Sequence, residues 1–508
     1  MSRTGSRTPP FERAETASYV VFRDENVIKA KNGEDGHIEF SGPDAAEVIN
    51  DAIGALVAGG AVFIRDGTYE ITSSINLASS VALIGQGAGT VLRVPDGHDA
   101  DLRVVYGSGI DHVTVADLRI DGNKANQTAG AMTGIYLDTV TDSKVRGCWV
   151  EDVYGTGATM DDGTGIYLTG SSRNVLSQNA SEANSIIGIT LDTSDNNEIA
   201  GNLCRNNAGP GIYLDSSSDN TITGNTSRSN DSSGIYLASS SDYNLITDNS
   251  CCQAGFAHGI YIDGSSYNTV TGNLCRANAQ VGIWLANSSN TVVTGNASIG
   301  NSQAADDTYA GIYTSGAAPD YNLIQGNLVR HDGGANQHNY GVDITSGTGN
   351  LVTNNDLYRS GRTASVRDTG GGTIIRLNRG VTPPVIESLT PFILETPQTG
   401  LVADTTGVKF NSNAVTLPSS GYASIAIEGT WTASQTDSVT AIELYDQTAG
   451  AVLASVSGNM GTNVKSGYAS FTAGNTVNVR VNVTTASATG GATTDCYEAV
   501  VYLRYDLS

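Results

Sequence analysis

The chain has 508 residues, with 60 Gly and only 11 Pro, and its 51 acidic side chains against 27 basic ones give a formal net charge of -24. That charge repels a phosphate backbone and excludes a nucleic-acid partner, and no stretch is long and apolar enough to insert in a membrane as a helix. Moderate hydrophobicity with abundant Gly points to a turn-rich, all-β protein of two or more domains and excludes a disordered chain.

Residues 1–43 read as a polar arm followed by a hairpin, Tyr19-Val20-Val21-Phe22 with Val27-Ile28-Lys29-Ala30. The first residues lack an apolar core, so a secretory signal is not expected. A helix is predicted from Asp44 to about Val57. Asp44 and Glu47 form an N-terminal capping pair, Val48, Ile49, Ala52, Ile53, Leu56 and Val57 form an apolar face, and Gly59-Gly60 stops it. Next come Val62-Phe63-Ile64, a turn at Asp66-Gly67-Thr68-Tyr69, the strand Val81 to Ile84 and the glycine stretch Gly85-Gln86-Gly87-Ala88-Gly89. The strand Val91 to Val94 follows these glycines where a dinucleotide loop needs a helix.

From Gly134 the chain repeats. Gly-Ile-Tyr-Leu begins at Gly134, Gly165, Gly211 and Gly234, and variants begin at Gly188, Gly259, Gly282, Gly311 and Gly341, most often 23 residues apart. In step run Asn174, Asn197, Asn220, Asn244, Asn268, Asn322 and Asn350, each followed five residues later by another Asn. A fixed period of this length means a solenoid. Alternation of period two, as in Thr221-Ile222-Thr223, makes its elements strands. Three short strands and three turns in about 23 residues form one coil of a parallel β-helix. The Asn columns are expected to lie inside it, satisfying turn backbone and stacking coil on coil. Helix 44–57 is expected to cover the open end of residues 44–380.

Near Thr382-Pro383-Pro384 the repeat ends; 381–394 read as a linker and 395–508 as a jelly-roll-like β-sandwich of short alternating strands. Such a module either binds sugar or holds subunits together. Cys204, Cys251 and Cys275 share one repeat position with Ser227 and Ser298, as small buried residues do. Free thiols are the expectation, with a Cys251–Cys275 disulfide as the alternative. No spacing of Cys or His indicates a metal. No cofactor is expected, and calcium or another cation stays open without a motif to indicate it. Many Asp and few Lys fit adaptation to high salt, or simply the use of Asp in turns.

Within Gly-Ile-Tyr-Leu-Asp, inward Ile and Leu send Tyr and Asp outward. Stacked coils then give an exposed file of Tyr136, Tyr167, Tyr213, Tyr236, Tyr261, Trp284 and Tyr313, beside Asp138, Asp192, Asp215 and Asp263. Aromatic rings beside hydrogen-bond acceptors suit a glycan; an aromatic ladder that merely stabilises the sheet fits the pattern too. Asp192 and Asp215, one coil or ~5 Å apart, have the spacing of a retaining glycosidase pair, and Asp215 and Asp263, ~10 Å apart, that of an inverting pair. Together they are the candidate catalytic carboxylates, with solvated turn Asp as the alternative. The insertion from Trp149 to Gly165 is expected near the binding face. Arg205, Arg228 and Arg276 form a second file, for an anionic polymer or for salt bridges. Among the glycosylation sequons, Asn126, Asn230, Asn287 and Asn482 are expected to be accessible.

The order helix, Gly-Gly, strand, Gly-Thr-Tyr turn and Gly-x-Gly stretch resembles the pectate-lyase-like superfamily of right-handed β-helices. The Gly-Ile-Tyr-Leu and Asn repeat resembles that shared by sugar-acting β-helices, mannuronan epimerases and a periplasmic copper-processing family. The segment Tyr19 to Ile53 is similar to the opening of β-helix proteins of haloarchaea and their tailed viruses. This resemblance implies a right-handed helix. The epimerase motif Tyr-Gly-x-Asp-Pro-His survives here only as Tyr154-Gly155, and no Arg is apparent in the Tyr file to serve as a lyase base. The arm, shaft and terminal sandwich resemble tail spikes. The implied function is a virion-surface appendage, homotrimeric, held to other virion proteins by its arm and recognising, or also depolymerising, a host surface polysaccharide or glycoprotein. A secreted polysaccharide lyase, hydrolase or epimerase is the alternative.

Overall fold

The computed structural model describes residues 17–317 and 319–381, and, between 388 and 505, thirteen strand segments with the turn at 447–450. The polar arm, the linker as a whole and Asn482's side chain lie outside the described residues. The chain divides into two compact units, Met1–Ile374 and Ile375–Ser508.

The first unit is the expected right-handed parallel β-helix. Its strands form three long sheets, here A, B and C, in which each strand pairs with the equivalent strand one coil on. The inward positions are single-file and apolar. Ile166, Ile189, Ile212, Ile235, Ile260 and Ile283 on sheet C are fully buried, as are Leu176, Ile199, Ile222, Ile246 and Val270 on sheet A. On sheet B the inward column runs Ser181, Cys204, Ser227, Cys251, Cys275, Ser298 in register, all buried. The thiols are free.

The turns explain the recurring Gly and Asn. A Cβ on Gly211 would meet the Ser227 Oγ at 2.0 Å and the Gly234 carbonyl at 2.8 Å, so no larger residue fits where the repeat phrase begins. Before the second Asn column the chain turns through the left-handed region, at Gly224 with φ +63°. The Asn that follows is buried and satisfies this turn: Asn225 Nδ2 donates to the Ile199 carbonyl at 2.7 Å, and its Oδ1 accepts from the Asn202 backbone N–H at 2.8 Å. A third column, Asn184, Asn207, Asn230, Asn278 and Asn301, is also buried. This corrects one expectation: Asn230 is 1 % exposed and cannot present a glycosylation site, because its amide is used inside the coil, donating to the Cys204 carbonyl and the Ser227 Oγ. Asn126 and Asn287 are exposed as expected.

At the N-terminal end Tyr19–Asp24, Val27–Asn32 and Ile38–Gly42 form an antiparallel extension of sheet A, and Tyr19 pairs with Val62 of the first coil. The helix Ala45–Gly54 is capped by Asp44, whose Oδ1 accepts from the Ala46 and Glu47 N–H groups. It packs against Val27–Asn32, Ile38–Gly42 and Ile75–Asn76. It is shorter than predicted, because Leu56 N–H bonds to the Ile53 carbonyl in a tighter turn, leaving Val57 95 % exposed.

The described strands of the second unit are antiparallel. Thr476–Val483 lies between Gly407–Asn411 and Thr440–Asp446, and Gly421–Ile427 pairs along its length with Ala499–Tyr505. This matches the all-β reading of the C-terminal region.

Candidate functional site

Sheet C brings the predicted aromatic residues into one register: Tyr106, Tyr136, Tyr167, Thr190, Tyr213, Tyr236, Tyr261, Trp284, Tyr313, Asp343, Arg367. All seven aromatic residues read from the sequence lie in it. Two features differ from expectation. The file is not exposed: Tyr213 to Tyr313 are half-buried, and Tyr136 and Tyr167 are buried. The rings also face one another instead of solvent. Tyr236 and Tyr261 stack at 4.7 Å and 17°, Tyr261 and Trp284 at 4.7 Å and 28°. Coil spacing is close to ring-stacking distance, so these three rings cover one another's faces.

The buried N-terminal end has a local cause. The guanidinium of Arg103 lies 3.7 Å over the Tyr136 ring and 3.6 Å from the Asp161 carboxylate, which belongs to the long insertion. Asp162 holds that insertion together, accepting from the Thr156 N–H and Oγ1 and from the Ala158 N–H. The insertion therefore does reach the file.

The carboxylates flank the rings. Asp192 and Asp215 are in register on neighbouring coils. Asp192 accepts a 2.7 Å hydrogen bond from the Tyr167 hydroxyl, and burial together with that bond pushes the Tyr167 phenol well up, so it stays protonated. Asp215 Oδ1 is buried without a hydrogen-bond partner. Asp263 accepts from Asn287 Nδ2 at 3.0 Å. Burial likewise raises the phenols of Tyr213, Tyr236 and Tyr261, making these three donors and not phenolate bases.

Beyond Tyr313 the register continues into Asp343 and Arg367, which corrects the expectation that the file holds no Arg. The strand Ala364–Asp368 carries no repeat phrase, and so gave no sign in the sequence. Arg367 forms a two-bond fork on Asp343, Nε to Oδ1 at 2.7 Å and Nη2 to Oδ2 at 2.6 Å. Those bonds raise the Arg367 pKa, which makes it a fixed cation and unfit as a base. Here a cleft of about 250 Å³ opens among His258, Trp284, Tyr309, Tyr313, Asp343 and Arg367. Sequence reading missed His258, Tyr309, Asp343 and Arg367. The available signal was the lengthening of the last two repeats to 29 and 30 residues, which supplies the loops walling the cleft.

In the second file, Arg205 pairs with Glu182 of the preceding coil, while Arg228 and Arg276 are exposed. The stacked thiols lie in the core, where burial raises the Cys204 thiol, and a hydrogen bond with Cys251 together with burial raises that of Cys275. No three His, Cys, Asp or Glu side chains converge among the described residues. Nor is any described helix long and apolar enough to cross a membrane.

The fold is similar to that of several solved structures. The A-modules of the mannuronan C-5 epimerases AlgE6 and AlgE4 from Azotobacter vinelandii align with TM-scores of 0.59 and 0.58 at 20 % and 19 % identity, covering 66 % and 65 % of this chain and 95 % and 96 % of theirs. The Dettilon tailspike protein (gp208) aligns with a TM-score of 0.57 at 16 % identity over 91 % of each chain. No curated protein matches the sequence. The family described as periplasmic copper-binding protein (NosD) matches residues 98–257 and 251–379, the regular coils and more than half of the chain. The chain therefore belongs to the NosD family of parallel β-helix proteins.

Proposed function

We propose that this protein recognises a surface polysaccharide along sheet C as a tail-spike-like virion appendage, and that Asp192 and Asp215 cleave it. The observation that carries the reading is the in-register file from Tyr213 to Tyr313 flanked by unneutralised carboxylates: a long polar-edged strip of phenol hydroxyls and ring edges, ending in a cleft. Such a strip offers a polymer repeated weak contacts instead of one deep pocket. The fold likeness to a tailspike over 91 % of the chain supports the appendage setting. In-register carboxylates on adjacent coils support hydrolysis by a nucleophile and an acid. Protonated phenols and a paired Arg367 weigh against elimination or epimerisation at the same place. A secreted hydrolase is the second reading, and the same two carboxylates favour it.

The family description names copper and the periplasm. The described donors do not suit copper: no three converge, and the stacked thiols are sealed in the core. No step of the proposed chemistry passes through a metal.

The test uses the full chain and purified host envelope polysaccharide. Trp284→Ala should weaken retention on the polymer, and Asp215→Asn should abolish chain shortening while leaving retention nearly intact. Antibody labelling of purified virions separates the two settings: unlabelled particles would sink the appendage reading. A polymer neither retained nor shortened by the wild type would sink both.

A further inference from the structure

The aromatic file ends at the cleft, with Tyr313 as its last ring. Every ring from Tyr213 to Trp284 has a neighbour on each side, except that Tyr213 borders Thr190. Thr190 is fully buried. Tyr313 has Trp284 on one side at 5.4 Å, and its other side faces the coil of Asp343, which carries no ring at that register. Sugars bind rings by laying their C–H face on an uncovered π face, and Tyr313 lines the cleft.

The polar groups of the cleft are fixed. Asp343 is 3 % exposed and held by Arg367 through Nε and Nη2, leaving the Nη1 N–H groups of Arg367 outside the fork. The Arg367 guanidinium rests 4.3 Å over the Tyr340 ring, which fixes its plane. His258 accepts the Val281 N–H on Nδ1 at 3.2 Å, which places the ring proton on Nε2, and its ring packs edge-on against Trp284 at 4.6 Å. Burial pushes the His258 pKa down to about 4, so it stays neutral. The one buried carboxylate and the one cation cancel. The cleft is thus uncharged within a chain of net charge -24, and an acidic sugar finds no attraction there. At about 250 Å³ it falls below the range of drug-sized sites, roughly 300–1,000 Å³, and suits a single sugar ring.

We propose that this cleft is a subsite for one neutral pyranose residue, packed against the aromatic wall of Tyr313 and Trp284, with one hydroxyl donating to the Asp343 carboxylate and its neighbour accepting from Arg367. It rests on the glycan-binding reading above and gives that reading an end-point, where a chain terminus or side branch is held.

The experiment is a Trp fluorescence titration of the full chain with methyl glycosides of glucose, galactose, mannose and N-acetylglucosamine, and of glucuronic and galacturonic acids. A neutral glycoside should give a saturable change with millimolar affinity, and the two uronides should not. Thr308→Trp fills the mouth from an exposed rim position and leaves the core alone; it should weaken binding by ~10-fold or more, about 1.4 kcal/mol, with an unchanged circular dichroism spectrum. Asp343→Asn should do the same, though it also risks the fold. A flat titration with every neutral glycoside, tighter binding of a uronide, or full binding by a folded Thr308→Trp would each overturn the subsite. Polymer retention, measured alongside, separates the two claims. Retention without monosaccharide binding removes the subsite and leaves the wider reading. Monosaccharide binding without retention does the reverse.

Discussion

Asn197 and Asn220, one coil apart, are joined twice: Asn220 Oδ1 accepts the Asn197 backbone N–H at 2.8 Å and its side-chain Nδ2 at 3.2 Å. Asn220 Nδ2 in turn donates to the Ser194 and Ser218 carbonyls. One side chain thus satisfies backbone groups on its own coil and on the coil before it, in a place water does not reach. Asn220→Leu strands those groups and should destabilise the protein by ~1–3 kcal/mol. The check is chemical denaturation beside Ser73→Ala, an exposed control; a loss no larger than the control's would count against the ladder.

Tyr236 is held between two rings, Tyr213 at 5.0 Å and Tyr261 at 4.7 Å. Tyr236→Ala should therefore cost stability as well as binding, ~1–3 kcal/mol from two lost aromatic pairs. Tyr236→Phe keeps the stack and should restore most of that stability while removing one hydroxyl from the row. Thermal melts of the two variants distinguish a stacked ladder from freely exposed rings, which would give equal and negligible losses.

His258 and His338 are buried, and burial lowers both pKa values to about 4 from the usual 6.5. The unfolded chain binds these two protons at a higher pH than the native one does, so stability is complete above about pH 6.5 and falls on acidification toward 4. The expected contribution is on the order of 1–3 kcal/mol per site. Unfolding free energies measured from pH 7 to 4 should fall less steeply for a His258→Gln, His338→Gln double variant than for the wild type. Parallel curves would show that neither imidazole is held neutral.

The acidic excess predicts a salt response. With 51 acidic against 27 basic residues, stability should rise from low to molar salt as repulsion is screened. A melting temperature that does not change with salt would remove the argument for a high-salt setting.

The sequence by itself determined the coil. Strand alternation fixes which side chains of Gly-Ile-Tyr-Leu point inward, and the turns demand Gly and Asn for local steric and hydrogen-bonding reasons, so repeat spacing alone put Ile212 in the core and Tyr213 in file with Tyr236. What covers a residue is not a local property. Whether Tyr136 is exposed depends on Arg103 and on the insertion carrying Asp161, and whether a ring face is open depends on the residue one coil further on. Asp343 stands at the Tyr position of the last repeat variant, whereas Arg367 extends the file from a strand with no repeat phrase, and only the register of sheet C brings it into line. The loops of the last two repeats wall the cleft, but its other wall, with His258 from an earlier coil and Arg367 from the strand beyond the repeats, is set only by the tertiary structure.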